Sequence, residues 1–281
     1  MKKSHYVAKQ ADINGVIDYS EQENQTWKTL INRQLKVIEN KACQEFLKGL
    51  DILQFPTDRI PQLQEVNSRL EKATGWSVTQ VPALIDFDTF FSMLAKKQFP
   101  AATFIRTPEE LDYLQEPDIF HELFGHCPML CDPACADFMQ KYGELGKYAS
   151  RAERVMLARL YWFTIEFGLI NTDKGLRSFG AGILSSISET VYALESYEPE
   201  RKPFVALETL RTPYRIDMLQ KTYFVLDSYK DLFSLANVDL YRLIKQARLQ
   251  GLLASKFPPK EQSDTVEAQI RWQVTEERVQ V

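Results

Sequence analysis

Two of the three histidines in this 281-residue chain, His121 and His126, stand five residues apart in the stretch PDIFHELFGHCP, residues 117–128. In a regular α-helix, at about 100° per residue, positions five apart diverge by about 140°, whereas the i,i+4 pair of a zinc-protease HExxH helix diverges by about 40°. A continuous helix therefore aims these two rings apart. Gly125 and Pro128 flank the second histidine, and glycine and proline are the residues that end a helix and turn the chain. The reading is that the helix stops here and His126 swings back toward His121, so that both ring nitrogens reach one metal ion at about 2.0 to 2.2 Å. Two satisfied histidines at a helix end, with no metal, are the alternative.

A metal needs a third donor. In LARLYWFTIEFGLI, residues 157–170, Glu166 sits among Trp162, Phe163, Ile165, Phe167 and Leu169. Isolating a carboxylate in such surroundings costs several kcal/mol, so it must be paired, protonated or metal-bound. A solvent-facing position or an ion pair with Arg159 is the plain alternative. Two imidazoles and a carboxylate form the facial triad of non-haem Fe(II), with positions open for dioxygen and water. The same three ligands suit a hydrolytic zinc, with Glu122 as general base. Spacing leaves both open. Cys127, Cys131 and Cys135 lie nearby, but Pro128 and Pro133 interrupt the helix that would align them, and they read as structural thiols, with metal ligation as the alternative.

The rest of the chain reads as mainly α with a few short β-strands. Ser20-x-x-Glu23 has the spacing of a capping box ahead of a long amphipathic segment. Residues 88–99 read as helix, AATFIR (101–106) as a strand ending in arginine, 135–168 as helix and TYFVLD (222–227) as extended. Ser186 and Glu189 have the spacing of a second cap. A catalytic domain over 21–255 is expected, with an N-terminal extension (1–20) and a polar tail (256–281). A formal charge of −4, with Lys and Arg scattered, argues against nucleic acid. No apolar run is long enough to span a bilayer, and no apolar leader follows the N-terminal lysines. A cytoplasmic protein is the expectation, in keeping with four cysteines that form no disulfide framework.

PDIFHELFGH, then YWFTIEFGL about forty residues later, then FGAGILSS, together resemble in order and spacing the pterin-dependent aromatic amino acid hydroxylases, most nearly their bacterial phenylalanine-hydroxylating branch. The likeness runs from about residue 80 to 230. It implies a single catalytic domain of that type, hydroxylating L-phenylalanine to L-tyrosine with O2, Fe(II) and a tetrahydropterin. By the same resemblance His121, His126 and Glu166 hold the iron, Glu122 approaches the pterin, Phe90 stacks on its ring, and Ile85 and Phe87 lie near its edge. Arg106 takes the substrate carboxylate, while Pro117, Trp162, Gly182 and Ser185 line the amino-acid pocket, Ser185 also orienting a histidine. Val225 resembles the phenylalanine enzymes rather than the tyrosine enzymes. Without the likeness, Phe90 and Trp162 read as core, Glu122 as an exposed helix glutamate and Arg106 as surface. Leu114 departs from the pocket threonine of animal members. The regulatory domain and long oligomerisation helix of those members have no counterpart, so a monomer is expected, with a dimer through the tail as the alternative. A metal-free helical binding module is the remaining reading.

Overall fold

The computed structural model describes residues 6–82, 85–112, 116–229 and 240–258. Helix α1, Glu21–Val37, starts at the expected capping box, with Ser20 Oγ accepting from Glu23 N and Glu23 Oε2 accepting from Ser20 N. It buries Trp27, Leu30 and Ile31. Helices α2 (Gln44–Leu53) and α3 (Leu63–Thr74) follow. Strand β1 (Ser77–Val81) then pairs in parallel with β2 (Gln98–Ala102) across helix α4 (Phe87–Leu94).

Both expected boundaries in this region move. The helix read over 88–99 ends at Leu94, because Lys97 takes a left-handed φ of 57° and the chain enters β2 at once. The strand read over 101–106 leaves the sheet after Ala102. The polar groups beyond it are committed elsewhere: Thr103 Oγ1 donates to the Lys9 carbonyl, Tyr19 Oη donates to the Thr103 carbonyl, and Arg106 N donates to Asp118.

Cys127–Leu130 is a short helix, α5, and Pro133–Tyr148 is α6, capped by Asp132 Oδ1 accepting from Ala134 N and Cys135 N. The helix read over 135–168 breaks at Ala149, and a second capping box, Ser150 with Glu153, starts α7 (Arg151–Tyr161). Helix α6 lies close against α4, where a Cβ on Gly146 would overlap the Phe91 ring. The second sheet has four strands: β3 (Leu169–Thr172), β4 (Gly175–Ser178), β5 (Glu200–Pro203) and β6 (Thr222–Leu226), in the order β4-β3-β6-β5. Only the β3–β4 hairpin is antiparallel. Helices α8 (Ala181–Leu184), α9 (Ile187–Glu195), α10 (Ala206–Arg211) and α11 (Leu240–Gln250) complete the described chain.

Cys43, Cys127, Cys131 and Cys135 are buried free thiols, and burial pushes Cys43 and Cys131 up to about 12. Residues 6–20 lie on the body, with Tyr6 stacked on Phe104 and Ile17 buried. Leu114 and all of the tail after Pro258 lie outside the described residues. Among those residues no helix is long and apolar enough to cross a membrane.

Candidate active site: a metal centre on the wall of a cavity

The two histidines meet without the helix ending. His121–His126 is a π-helix that runs directly into α5. Its wider i→i+5 turn returns residue i+5 over residue i, which is the registration this spacing requires. The expected stop at Gly125 is therefore wrong. Gly125 serves close packing instead, since a Cβ there would come within 2.9 Å of the Ala181 carbonyl oxygen on α8. Pro128 lies at the junction of the π-helix with α5 and does not end the helix. Glu166 arrives the same way: α7 passes into a second π-helix, Trp162–Glu166, closed by Phe167 N donating to the Trp162 carbonyl at 2.9 Å.

Three donor atoms converge. His126 Nε2 lies 3.1 Å from His121 Nε2 and 3.1 Å from Glu166 Oε1, and His121 Nε2 lies 3.6 Å from Glu166 Oε2. Donors about 2.1 Å from one ion and at right angles are about 3.0 Å apart, so the set fits one ion bound on one face. Among the described residues it is the one group of His, Cys, Asp or Glu able to hold a metal; no cysteine belongs to it. Ser185 sets the tautomer of His121. Its hydroxyl donates to the Ala181 carbonyl at 2.8 Å, so toward His121 Nδ1, at 2.9 Å, it accepts. The imidazole proton then sits on Nδ1, and Nε2 offers its lone pair to the metal. His126 is packed beside Phe99 and Tyr161, at ring-centroid distances of 4.8 and 6.2 Å.

Arg106 is anchored to a residue the sequence reading did not single out. Its Nε and Nη2 donate to Asp118 Oδ2 and Oδ1 at 2.8 and 2.9 Å, and its backbone N donates to Oδ2. Asp118 is fully buried; against the burial that pushes its carboxyl up, the charge and hydrogen bonds of Arg106 hold it below the usual range. Asp118 Oδ1 also accepts from His121 N at 3.1 Å, so one carboxylate ties the arginine to the first of the three candidate donors. None of these bonds uses Arg106 Nη1.

A cavity of about 400 Å³ opens over the three donors. Phe90, Glu122, Arg106, Pro117, Trp162, Gly182 and Ser185 all line it. Glu122 is buried, not an exposed helix residue. Ile85, Phe87 and Val225 are not among the lining residues: Ile85 is half-buried against the core, Phe87 stacks on Phe91, and Val225 is buried in β6 with Leu169 and Ile183. Residues not singled out from the sequence also reach the cavity, notably Phe99, Tyr161 and the run Ile216–Gln220. Glu189 reaches it too. Ser186 caps α9 as expected, but the Glu189 carboxylate turns inward, where it accepts from Tyr223 Oη and Gln220 N, and burial raises it to about 7. Tyr161 adjoins Trp162 in sequence, a hint that could have been read; the 216–220 run has no such marker.

Residues 3–245 match the family described as biopterin-dependent aromatic amino acid hydroxylase. The chain is 61% identical over 261 residues to the phenylalanine-4-hydroxylase of Pseudomonas aeruginosa, covering 93% of this chain and 99% of that one. The fold aligns with the apo structure of the cold active phenylalanine hydroxylase from Colwellia psychrerythraea 34H at a TM-score of 0.88 and 52% identity, over 90% of this chain and 98% of that chain. Phenylalanine hydroxylase from Chromobacterium violaceum, solved with bound oxidised Fe(III), aligns at a TM-score of 0.82 and 48% identity, over 84% and 86% of the two chains. None of these relatives is a zinc hydrolase or a metal-free binding module, and both alternatives are dropped. The converging histidines and glutamate, the cavity above them and these likenesses lead to one assignment: the chain belongs to the biopterin-dependent aromatic amino acid hydroxylases.

Proposed function

We propose that the chain is a monooxygenase converting L-phenylalanine to L-tyrosine with O2, using Fe(II) held by His121, His126 and Glu166 and a tetrahydropterin. The observation that carries this reading is the placement of Arg106 and the three metal donors on the wall of one cavity. Iron and pterin, when bound, would supply the oxidation: one atom of O2 would enter the aromatic ring, and the other would be reduced to the level of water with two electrons from the pterin. The protein supplies position. Asp118 holds the Arg106 guanidinium in one orientation, ready to take the substrate carboxylate and fix one end of the amino acid. Trp162, stacked on Tyr214 at 4.6 Å, offers a flat wall for the ring. Phe90, set edge-on to Phe91 and Tyr161, and Glu122 are assigned to the pterin side. The Ser185 hydrogen bond keeps His121 Nε2 deprotonated toward the metal.

The same reading takes the enzyme as a cytoplasmic monomer acting on a free amino acid; buried thiols in place of disulfides accord with a reducing compartment. The test is anaerobic loading with Fe(II), then measurement of tyrosine formed from phenylalanine in air with and without tetrahydropterin. Pterin-dependent tyrosine is expected. No pterin-dependent product from any aromatic amino acid sinks the reading.

A further inference from the structure

Gln220 is 1% exposed, and both polar atoms of its side chain are engaged. Its Oε1 accepts from Trp162 Nε1 at 3.0 Å, while its Nε2 donates to the Arg215 and Met218 carbonyls at 2.7 and 3.1 Å. Its backbone N donates to Glu189 Oε1 at 3.3 Å. Only one orientation of the amide satisfies this environment, since a flipped group would set NH2 against the indole N–H and oxygen against two carbonyls. The segment it closes, residues 212–221, joins α10 to β6 without regular structure and brings Ile216, Asp217, Met218 and Leu219 to the cavity. Tyr214, on the same segment, stacks on the Trp162 indole with the planes 20° apart, and Phe167 lies 4.5 Å away from the indole. The loop therefore holds the indole by its face through Tyr214 and by its edge through Gln220.

We propose that Gln220 is a positioning residue that locks Trp162 and the 212–221 segment into one rigid wall, and so sets the room available to the substrate ring and the preference for phenylalanine over a bulkier aromatic amino acid. The assignment rests on reading this cavity as the amino-acid pocket. Without the amide, a buried indole N–H and two carbonyls lose their partner, and the segment relaxes toward water to recover it. The metal donors keep their own bonds, so binding of the substrate suffers more than turnover.

The test is a double-mutant cycle. Gln220→Met, which keeps the volume and removes the polar atoms, is expected to raise KM for L-phenylalanine about tenfold, the scale of one lost buried hydrogen bond. In this variant kcat stays within about threefold, the iron content is unchanged, and the kcat/KM ratio of phenylalanine over tryptophan falls. In a Trp162→Phe background, which has no indole N–H, the same substitution is expected to cost at least about threefold less. Calorimetric binding of L-phenylalanine to the anaerobic Fe(II) protein without pterin reads the same coupling without turnover. Where Gln220→Met fails to fold, Trp162→Phe alone decides: hydrogen exchange at residues 214–220 is expected to quicken, and unchanged exchange overturns the proposal. An additive cycle overturns the assignment of Gln220 alone. A wild-type protein that binds no L-phenylalanine overturns the functional reading, and this inference with it.

Discussion

Two parts of the cavity lining are built differently. At the metal site every donor stands on a helical element, the π-helices His121–His126 and Trp162–Glu166, backed by buried neighbours and by Asp118 and Ser185. Elsewhere the wall is an irregular segment held by side-chain hydrogen bonds, chiefly those of Gln220. Ligands must meet an ion to within a few tenths of an ångström, and helical backbone holds such positions better than a loop does. A pocket wall needs only a shape, and a loop pinned at one point supplies it. Damage to the metal site should therefore abolish chemistry, and damage to the loop wall should shift selectivity.

The largest effect is expected at the metal. Glu166→Ala should lower iron affinity and tyrosine formation by more than the roughly 10- to 100-fold that follows loss of a partner outside the ligand set; a variant that retains iron through dialysis breaks the comparison. Next comes Asp118→Ala, which leaves the buried Arg106 charge uncompensated and is expected to cost about 3–5 kcal/mol in urea unfolding. An unchanged midpoint would show that Arg106 finds another partner. Ser185→Ala should weaken iron binding about tenfold by freeing the His121 ring. Ser186→Ala, one residue on, removes the α9 cap at about 1 kcal/mol of stability with iron binding intact. Equal iron loss in both would sink the tautomer argument.

The smallest effect belongs to Glu189 beside the loop, and it is visible only through pH. Its carboxyl is raised to about 7 by burial, so the native state holds a proton that the unfolded chain, titrating in the ordinary carboxylate range, has already lost. The stability this contributes is full below the unfolded pKa and lost as pH rises through about 7. Between pH 6 and 7.5 the wild type should lose about 1 kcal/mol relative to Glu189→Gln. Parallel pH profiles for the two proteins would refute the assignment.

Chemical oddity made some of this legible from residues alone. Three histidines in 281 residues, two of them in one short motif, and a glutamate set in an aromatic run pointed to a ligand set before any fold was known. Capping chemistry placed the start of α1, and the same Ser-x-x-Glu signal at Ser150 marks the break that the periodicity of 135–168 conceals. The loop wall had no comparable signal. Gln220 is an ordinary polar residue in sequence and becomes informative only where Trp162, fifty-eight positions away, meets it.

What residue chemistry determined, then, was a candidate set of metal donors and a mainly helical scaffold, because ligand capacity and helical periodicity are local properties of the chain. Tertiary packing decided the rest. The π registration of His121–His126 goes with the close seating of Gly125 on Ala181, the orientation of Arg106 depends on Asp118, and the shape of one cavity wall depends on a loop pinned to a distant indole. Each is a contact between segments far apart in sequence or a choice among hydrogen-bond registers, and neither is written in the spacing of residues along one strand of text.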